Sequence, residues 1–303
     1  DESNTVNTKP VCYLVNKSDK VVPKNSGFVA LINSNNITVN GLTLTKNIYG
    51  VLLVNTNNSK IENSGISNNE RYGIYSLSSH RNKITGGNVI SLSRLYGCIG
   101  LEASNSNVIS ENDIGPNSHD GISLHKCSDN EIMKNRIRDA QEDSIDIVDS
   151  SNNILDSNNI SPCRNCGISL KDSVSNILTN NSIANEGINS MGIYLYNSSN
   201  NEINMSAINF SISVYYCIKL DGPSSNNSVY HNNFISNAPK LASATNYPNS
   251  WDDGYPSGGN YWSNYKGKDE KKGPGQNETD PDGRGDTTYV IGANNTDNYP
   301  LMN

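Results

Sequence analysis

A glycine-led phrase returns about every 23 to 25 residues along most of this 303-residue chain. Its clearest copies are Gly121-Ile-Ser-Leu-His125, Gly167-Ile-Ser-Leu-Lys171 and Gly192-Ile-Tyr-Leu-Tyr196, and variants begin at Gly27, Gly50, Gly73, Cys98, Ser144 and Cys217. A period of this length means one small unit stacked on itself many times, because no single copy can bury its own apolar face. Inside each copy the apolar residues alternate at period two, which argues short strands. Helical spacing at i, i+3, i+4 and i+7 is sustained nowhere. Strands that recur once per copy pair with the turns above and below. The chain is therefore expected to be all-β, a single-stranded, right-handed parallel β-helix of about nine coils. Ile122, Ile145 and Ile168 should form one vertical file in its core.

Further spacing supports that expectation. Ile61 and Ile66, Ile132 and Ile137, Leu155 and Ile160, Leu178 and Ile183, and Ile203 and Ile208 are each five apart. Two residues before the second member of each pair, or its equivalent, stands Asn or a small residue: Asn40, Ser64, Gly87, Asn112, Asn135, Asn158, Asn181, Ser206 and Asn232. Asn tolerates the left-handed backbone of a sharp corner, and its amide can bond to its counterpart one turn away. These positions are expected to build an Asn ladder. The repeat runs from residue 27 to 240. Residues 1–26 are read as an N-terminal cap or arm, and 241–303 as a capping or interaction segment.

Only 34% of residues are hydrophobic, 7% are aromatic and 52 are Asn, a composition that ordinarily means disorder. A solenoid can fold with so little apolar material because its core is a thin continuous column. The net charge of −7 argues against nucleic acid or an anionic membrane as partner. No apolar run reaches the roughly 18 residues that a membrane span needs. The chain opens at Asp1 without Met or an apolar signal segment, so a secreted product with its leader removed is expected. Sequons at Asn16, Asn36, Asn57, Asn159, Asn180, Asn197, Asn204, Asn209, Asn226, Asn277 and Asn294 agree with export to the cell surface.

Six cysteines in an exported chain raise the question of disulfides. Cys98 and Cys217 occupy the glycine slot of coils about 24 Å apart, too far to join, and read as small core residues. Cys163-Arg-Asn-Cys166 could close on itself, act as a redox pair or hold half a metal site. Cys12 and Cys127 have no mate in the sequence, which leaves bonds between subunits open. On the outward positions of the glycine-led strand stand Glu102, Ser123, His125, Asp146, Ser169, Lys171, Tyr194, Tyr196, Lys219 and Asp221. Of these, Glu102, His125, Asp146 and Lys171 are the candidate acid–base set. No paired-aspartate hydrolase signature accompanies them, and no Arg lies on the strip to hold a uronate.

Beyond Lys240 the repeat stops. Trp251, Trp262, Tyr255, Tyr261, Tyr265, Tyr289 and Tyr299 are interleaved with Gly and Pro, as befits a cap over the last coil, a subunit contact or a sugar-stacking surface. Within this segment Asp280-Pro-Asp282-Gly283-Arg-Gly285-Asp286 resembles calcium loops of the Asp-X-Asp-Gly-X-Gly-Asp kind. That likeness implies a structural calcium held by Asp280, Asp282 and Asp286, with Asp269, Glu270 or Glu278 completing the shell. Arg284 departs from the pattern.

The phrases Asn-Asn-X-Ile-X-X-Asn and Gly-Ile-X-Leu resemble the parallel β-helix repeats of the carbohydrate-binding-and-sugar-hydrolase superfamily. Pro10-Val-Cys-Tyr-Leu-Val-Asn16 with Gly27-Phe-Val-Ala-Leu31 resembles one branch of it, the NosD-like β-helices and related archaeal cell-surface proteins. So does Gly258-Gly-Asn-Tyr-Trp-Ser-Asn-Tyr265, continuing through Asp280–Asp286 to Asp297-Asn-Tyr-Pro-Leu301. Four Met and four His residues, widely scattered, make no soft-ligand cluster for that branch's copper-related role. His119-Asp120 resembles a feature of polyuronate epimerases. The resemblance implies an archaeal surface protein, either assembling with copies of itself as sheath, surface layer or filament, or binding surface polysaccharide. The alternatives are a polysaccharide lyase, hydrolase or epimerase using the strip, and a monomeric carbohydrate-binding module using the C-terminal aromatics.

Overall fold

The computed structural model describes residues 3–185, 190–210 and 216–302. Three sheets run the length of the molecule as the faces of a right-handed β-solenoid, and successive turns pair in parallel. The glycine-led strands form the first sheet, in which Ile122 pairs with Ile145 and Ile145 with Ile168. All three are fully buried in a single file. The second sheet contributes the file Ile109, Ile132, Leu155, Leu178 and Ile203. The third contributes Ile90, Ile114, Ile137, Ile160 and Ile183. Every turn thus meets the same three files, which is why a low apolar content suffices for a continuous core.

The stack is longer than residues 27–240. Lys9–Val15 already pairs in parallel with Phe28–Ile32, so the N-terminal segment is itself part of the first coil. At the other end Ala242–Ala244 and Tyr261–Trp262 extend the first and third sheets.

Three hydrogen-bonded ladders hold the corners. The expected one runs from Ser64 through Asn88, Asn112, Asn135, Asn158, Asn181, Ser206 and Asn232 to Asn260, each side chain accepting from the previous turn, at Asn112 from the Asn88 side-chain amide and at the other rungs from the backbone. Gly87 and Asn40 are not its members. Asn88 holds the rung assigned to Gly87, because Ile90 aligns with Ile66 and Ile114. Asn40 stands two places earlier, bonded to Glu62 at 3.0 Å. A second Asn ladder, not anticipated from the spacing, runs from Asn82 through Asn107, Asn130, Asn153, Asn176, Asn201 and Asn227 to Asn249. The third is a hydroxyl ladder of Thr56, Ser79, Ser104, Ser150, Ser173, Ser198 and Ser224, with Cys127 taking one rung. Buried amides left unbonded would each cost roughly 1–3 kcal/mol. The Asn content is accordingly a structural requirement.

The glycine that opens each phrase answers to close packing. A Cβ at Gly121 would stand 2.5 Å from the Ser144 carbonyl oxygen of the next turn and 2.7 Å from Ile137. Beyond Ala244 the chain folds over the last coil. Trp262 stacks on Phe234 at 4.5 Å and on Tyr289 at 4.3 Å, which covers the apolar column. Beneath them Asp297 accepts hydrogen bonds from the Asn260 amide at 2.7 Å and Trp262 Nε1 at 2.8 Å. Trp251 and Trp262 are both buried, so they are cap residues and present no sugar-stacking surface.

Candidate functional site

Because the inward positions of the first sheet are filled by Ile and Leu, alternation sends the intervening residues outward. Register places Tyr75, Gly100, Ser123, Asp146, Ser169, Tyr194 and Lys219 in one outward file. Beside it run Glu102, His125, Val148, Lys171, Tyr196 and Asp221. The residues that precede the glycine slot make a third file, in which Tyr72 is followed by Gly97, Asp120, Asp143 and Cys166.

Carboxylates converge in the middle of this face. Asp120 and Asp143 are buried at the sheet margin, one turn apart. Asp120 accepts from the Asp143 amide at 3.1 Å, and Asp143 from the Cys166 amide at 2.9 Å and Asn165 at 2.8 Å. Lys171 Nζ lies 3.3 Å from Asp146 and 3.6 Å from Asp143, and His119 Nδ1 is 3.0 Å from Asp120. Burial, countered by His119 and reinforced by the neighbouring carboxylates, pushes Asp120 up to about 7. Burial and Asp146 push Asp143 up to about 6, against the pull of Lys171. Three carboxylates, Asp120, Asp143 and Asp146, thus share one lysine, and burial favours the protonated form of the first two.

Toward the N-terminal end of the face the tyrosines gather. Tyr49, Tyr75, Tyr72 and Tyr96 stack in succession with centroids 5.4, 5.2 and 5.5 Å apart. Tyr72 can lie across the strand because Gly100 has no side chain; a Cβ there would be 2.6 Å from the ring. Arg71 donates to the Tyr49 hydroxyl at 3.1 Å and lies over the Tyr96 ring, and Tyr75 donates to Glu102. These residues line a shallow cavity of about 260 Å3.

The candidate acid–base residues lie on this one face but pair off separately: Glu102 with Tyr75, His125 with Asp149 at 3.4 Å, and Asp146 with Lys171. They do not converge on a common point. The strand pattern alone missed Asp143 and the tyrosine row. Asp143 and half of the tyrosine row were accessible by aligning the residue before each glycine slot, where Tyr49, Tyr72, Asp120 and Asp143 stand, whereas Tyr75 and Tyr96 lie at other positions.

Other candidate residues take other places. Asp280 pairs with Lys272 at 3.1 Å, Asp282 accepts from Gln276 and the Arg284 amide, and Asp286 from the Glu270 and Lys271 amides. Asp269 accepts from the Asp282 and Gly283 amides, and Arg284 reaches the Pro256 carbonyl oxygen. The loop's carboxylates are thus turned to amides and lysine. Cys12, Cys98, Cys127, Cys166 and Cys217 are buried free thiols, so Cys166 does not bond to Cys163, itself buried, and Cys127 is inaccessible to a neighbouring subunit. Among the sequons Asn204 is buried against Glu202 and Tyr230 and Asn57 is half-buried, whereas Asn16, Asn36, Asn159, Asn180, Asn197, Asn209, Asn226, Asn277 and Asn294 are exposed. Ser211 of the Asn209 sequon lies outside the described residues.

The A-module of the Azotobacter vinelandii mannuronan C-5 epimerase AlgE6 superposes with a TM-score of 0.60 at 14% identity, over 72% of this chain and 63% of that one. The Dettilon tailspike protein (gp208) gives 0.62 at 16% identity, over 79% and 57%. The chain spans less than two thirds of either, and at such identities the likeness is one of fold. No curated protein matches the chain. The model of the family described as periplasmic copper-binding protein (NosD) matches residues 3–150 and 139–267. The donor set does not fit copper: among the described residues no three His, Cys, Asp or Glu side chains converge on a metal position. His80, His119, His125 and His231 bond instead to Asn105, Asp120, Asp149 and Ser257. With the match covering most of its length, the chain belongs to the NosD family.

Proposed function

We propose that the protein is a glycan-binding β-helix that works outside the cytoplasm, with the outer face of the glycine-led sheet as its binding surface. The observation that carries this reading is the stacked row Tyr49–Tyr75–Tyr72–Tyr96, set beside Arg71 and Glu102 around one shallow cavity. Aromatic faces take the apolar faces of sugar rings, and the flanking charged and amide groups take hydroxyls. The family's periplasmic description supports the location. Among the described residues no helix is long and apolar enough to cross a membrane. The mannuronan C-5 epimerase module carries a sugar-directed protein on the same architecture, which favours a sugar ligand without deciding which.

The test is binding to a panel of soluble oligosaccharides by calorimetry. Tyr72→Ala and Tyr75→Ala are expected to weaken binding at least about tenfold, the order of a lost stacking contact, while Trp262→Ala unfolds the cap instead. A wild-type protein that binds no member of the panel overturns the proposal.

A further inference from the structure

The trough at the centre of this face has a definite electrostatic sign. Between Tyr75 and Tyr194 the outward file reads Gly100, Ser123, Asp146 and Ser169, a span of about 24 Å along the solenoid axis, with the Tyr72 ring lying over Gly100. Along its margin lie Asp120 and Asp143, and Glu102 stands near the tyrosine end. Facing these carboxylates are Lys171, His119 and His125, and His125 is already beside Asp149. Asp120 and Asp143 each accept a hydrogen bond from a backbone amide, whereas among the described residues Asp146 bonds only to Lys171, and its side chain is 14% exposed. Next to Asp146 in the same outward file is Ser169, fully buried, whose hydroxyl has no partner among the described residues. A buried unpaired hydroxyl is costly unless a ligand group completes it.

Resting on the glycan reading above, we propose that this trough selects saccharides bearing free amino groups. The ammonium of a hexosamine unit would sit against Asp146, with Ser169 supplying a neutral contact beside it and Tyr72, Tyr75 or Tyr194 stacking on adjoining rings. The chemistry follows from charge. A cation gains charge-assisted hydrogen bonds in a partly desolvated acidic trough, while a uronate would add a further carboxylate to three that share one lysine. Lys171 does not reverse this, because it is shared between Asp143 and Asp146.

The experiment compares three oligosaccharides of equal length by calorimetry: fully deacetylated glucosamine oligomers, their N-acetylated counterparts and oligogalacturonate. The amino form is expected to bind at least tenfold tighter than the acetylated one, and the difference should shrink as salt is raised. Asp146→Asn keeps the side-chain shape and should abolish the preference for the amino form. Equal affinity for amino and acetylated forms, or a preference for the uronate, overturns the amino-sugar assignment but leaves glycan binding standing. If no oligosaccharide of any charge binds, both readings fall.

Discussion

Asn153 shows what one ladder residue does. Its Oδ1 accepts from the Asn130 amide and side chain at 3.0 Å each, and its Nδ2 donates to Asn176 Oδ1 at 3.0 Å and to the Cys127 carbonyl oxygen at 3.2 Å. Asn153→Ala removes these bonds at once and strands dry amides on two turns, so a loss of about 3 kcal/mol is expected, read as a reduced denaturation midpoint. Cys127 is the contrasting case. It occupies a rung of the hydroxyl ladder, with its thiol near the Leu101 and His125 carbonyl oxygens at 3.4 and 3.3 Å. Cys127→Ser restores the residue type of its neighbours and is expected to change stability by less than about 1 kcal/mol, and to be neutral or favourable. A large loss would mean that the thiol has a role the ladder does not explain.

Among the structural elements, the acidic file and the cap share one behaviour. Asp120 and Asp297 are pushed up to about 7 and Asp143 to about 6, in each case first by burial. The folded chain therefore holds protons that the unfolded chain has already lost between pH about 4 and 7. Stability is fully present at the acid end of that window and falls as pH rises through it. Tm is expected to be roughly 5 °C higher at pH 5 than at pH 8, and Asp143→Asn should flatten the dependence. A Tm that rises toward pH 8 would contradict the burial of these carboxylates. The loop of residues 280–286 gives the complementary expectation. Its carboxylates already hold backbone amides, so a chelator should shift Tm by no more than about 1 °C. A larger shift would require the loop to rearrange around a cation.

For the molecule as a whole, the cap decides whether the solenoid ends cleanly. Trp251, Trp262, Tyr289 and Asp297 close the column, and both Asn ladders run into this layer through Asn249 and Asn260. Truncation after residue 245 would bare Phe234 and the last apolar rung together with unpaired strand edges. Such a chain is expected to aggregate instead of melting as a soluble monomer, measured by light scattering.

The coil repeat was readable from residue order because every turn imposes the same demand: an apolar residue on each of three inward files and a small or glycine residue where turns approach closely. Ile122, Ile145 and Ile168 satisfied that demand at a constant spacing of 23, and the file followed. Where coil length varies the columns drift, and Asn88 could not be told from Gly87 until the pairing of Ile66 with Ile90 set the register. The acidic file was hidden for a related reason. Asp120 and Asp143 lie 23 residues apart and become a cluster only when consecutive turns bring them within one strand spacing. The C-terminal tryptophans have no period at all. Whether they faced solvent or core depended on where the chain crossed the last coil, a matter of long-range packing that no local pattern encodes.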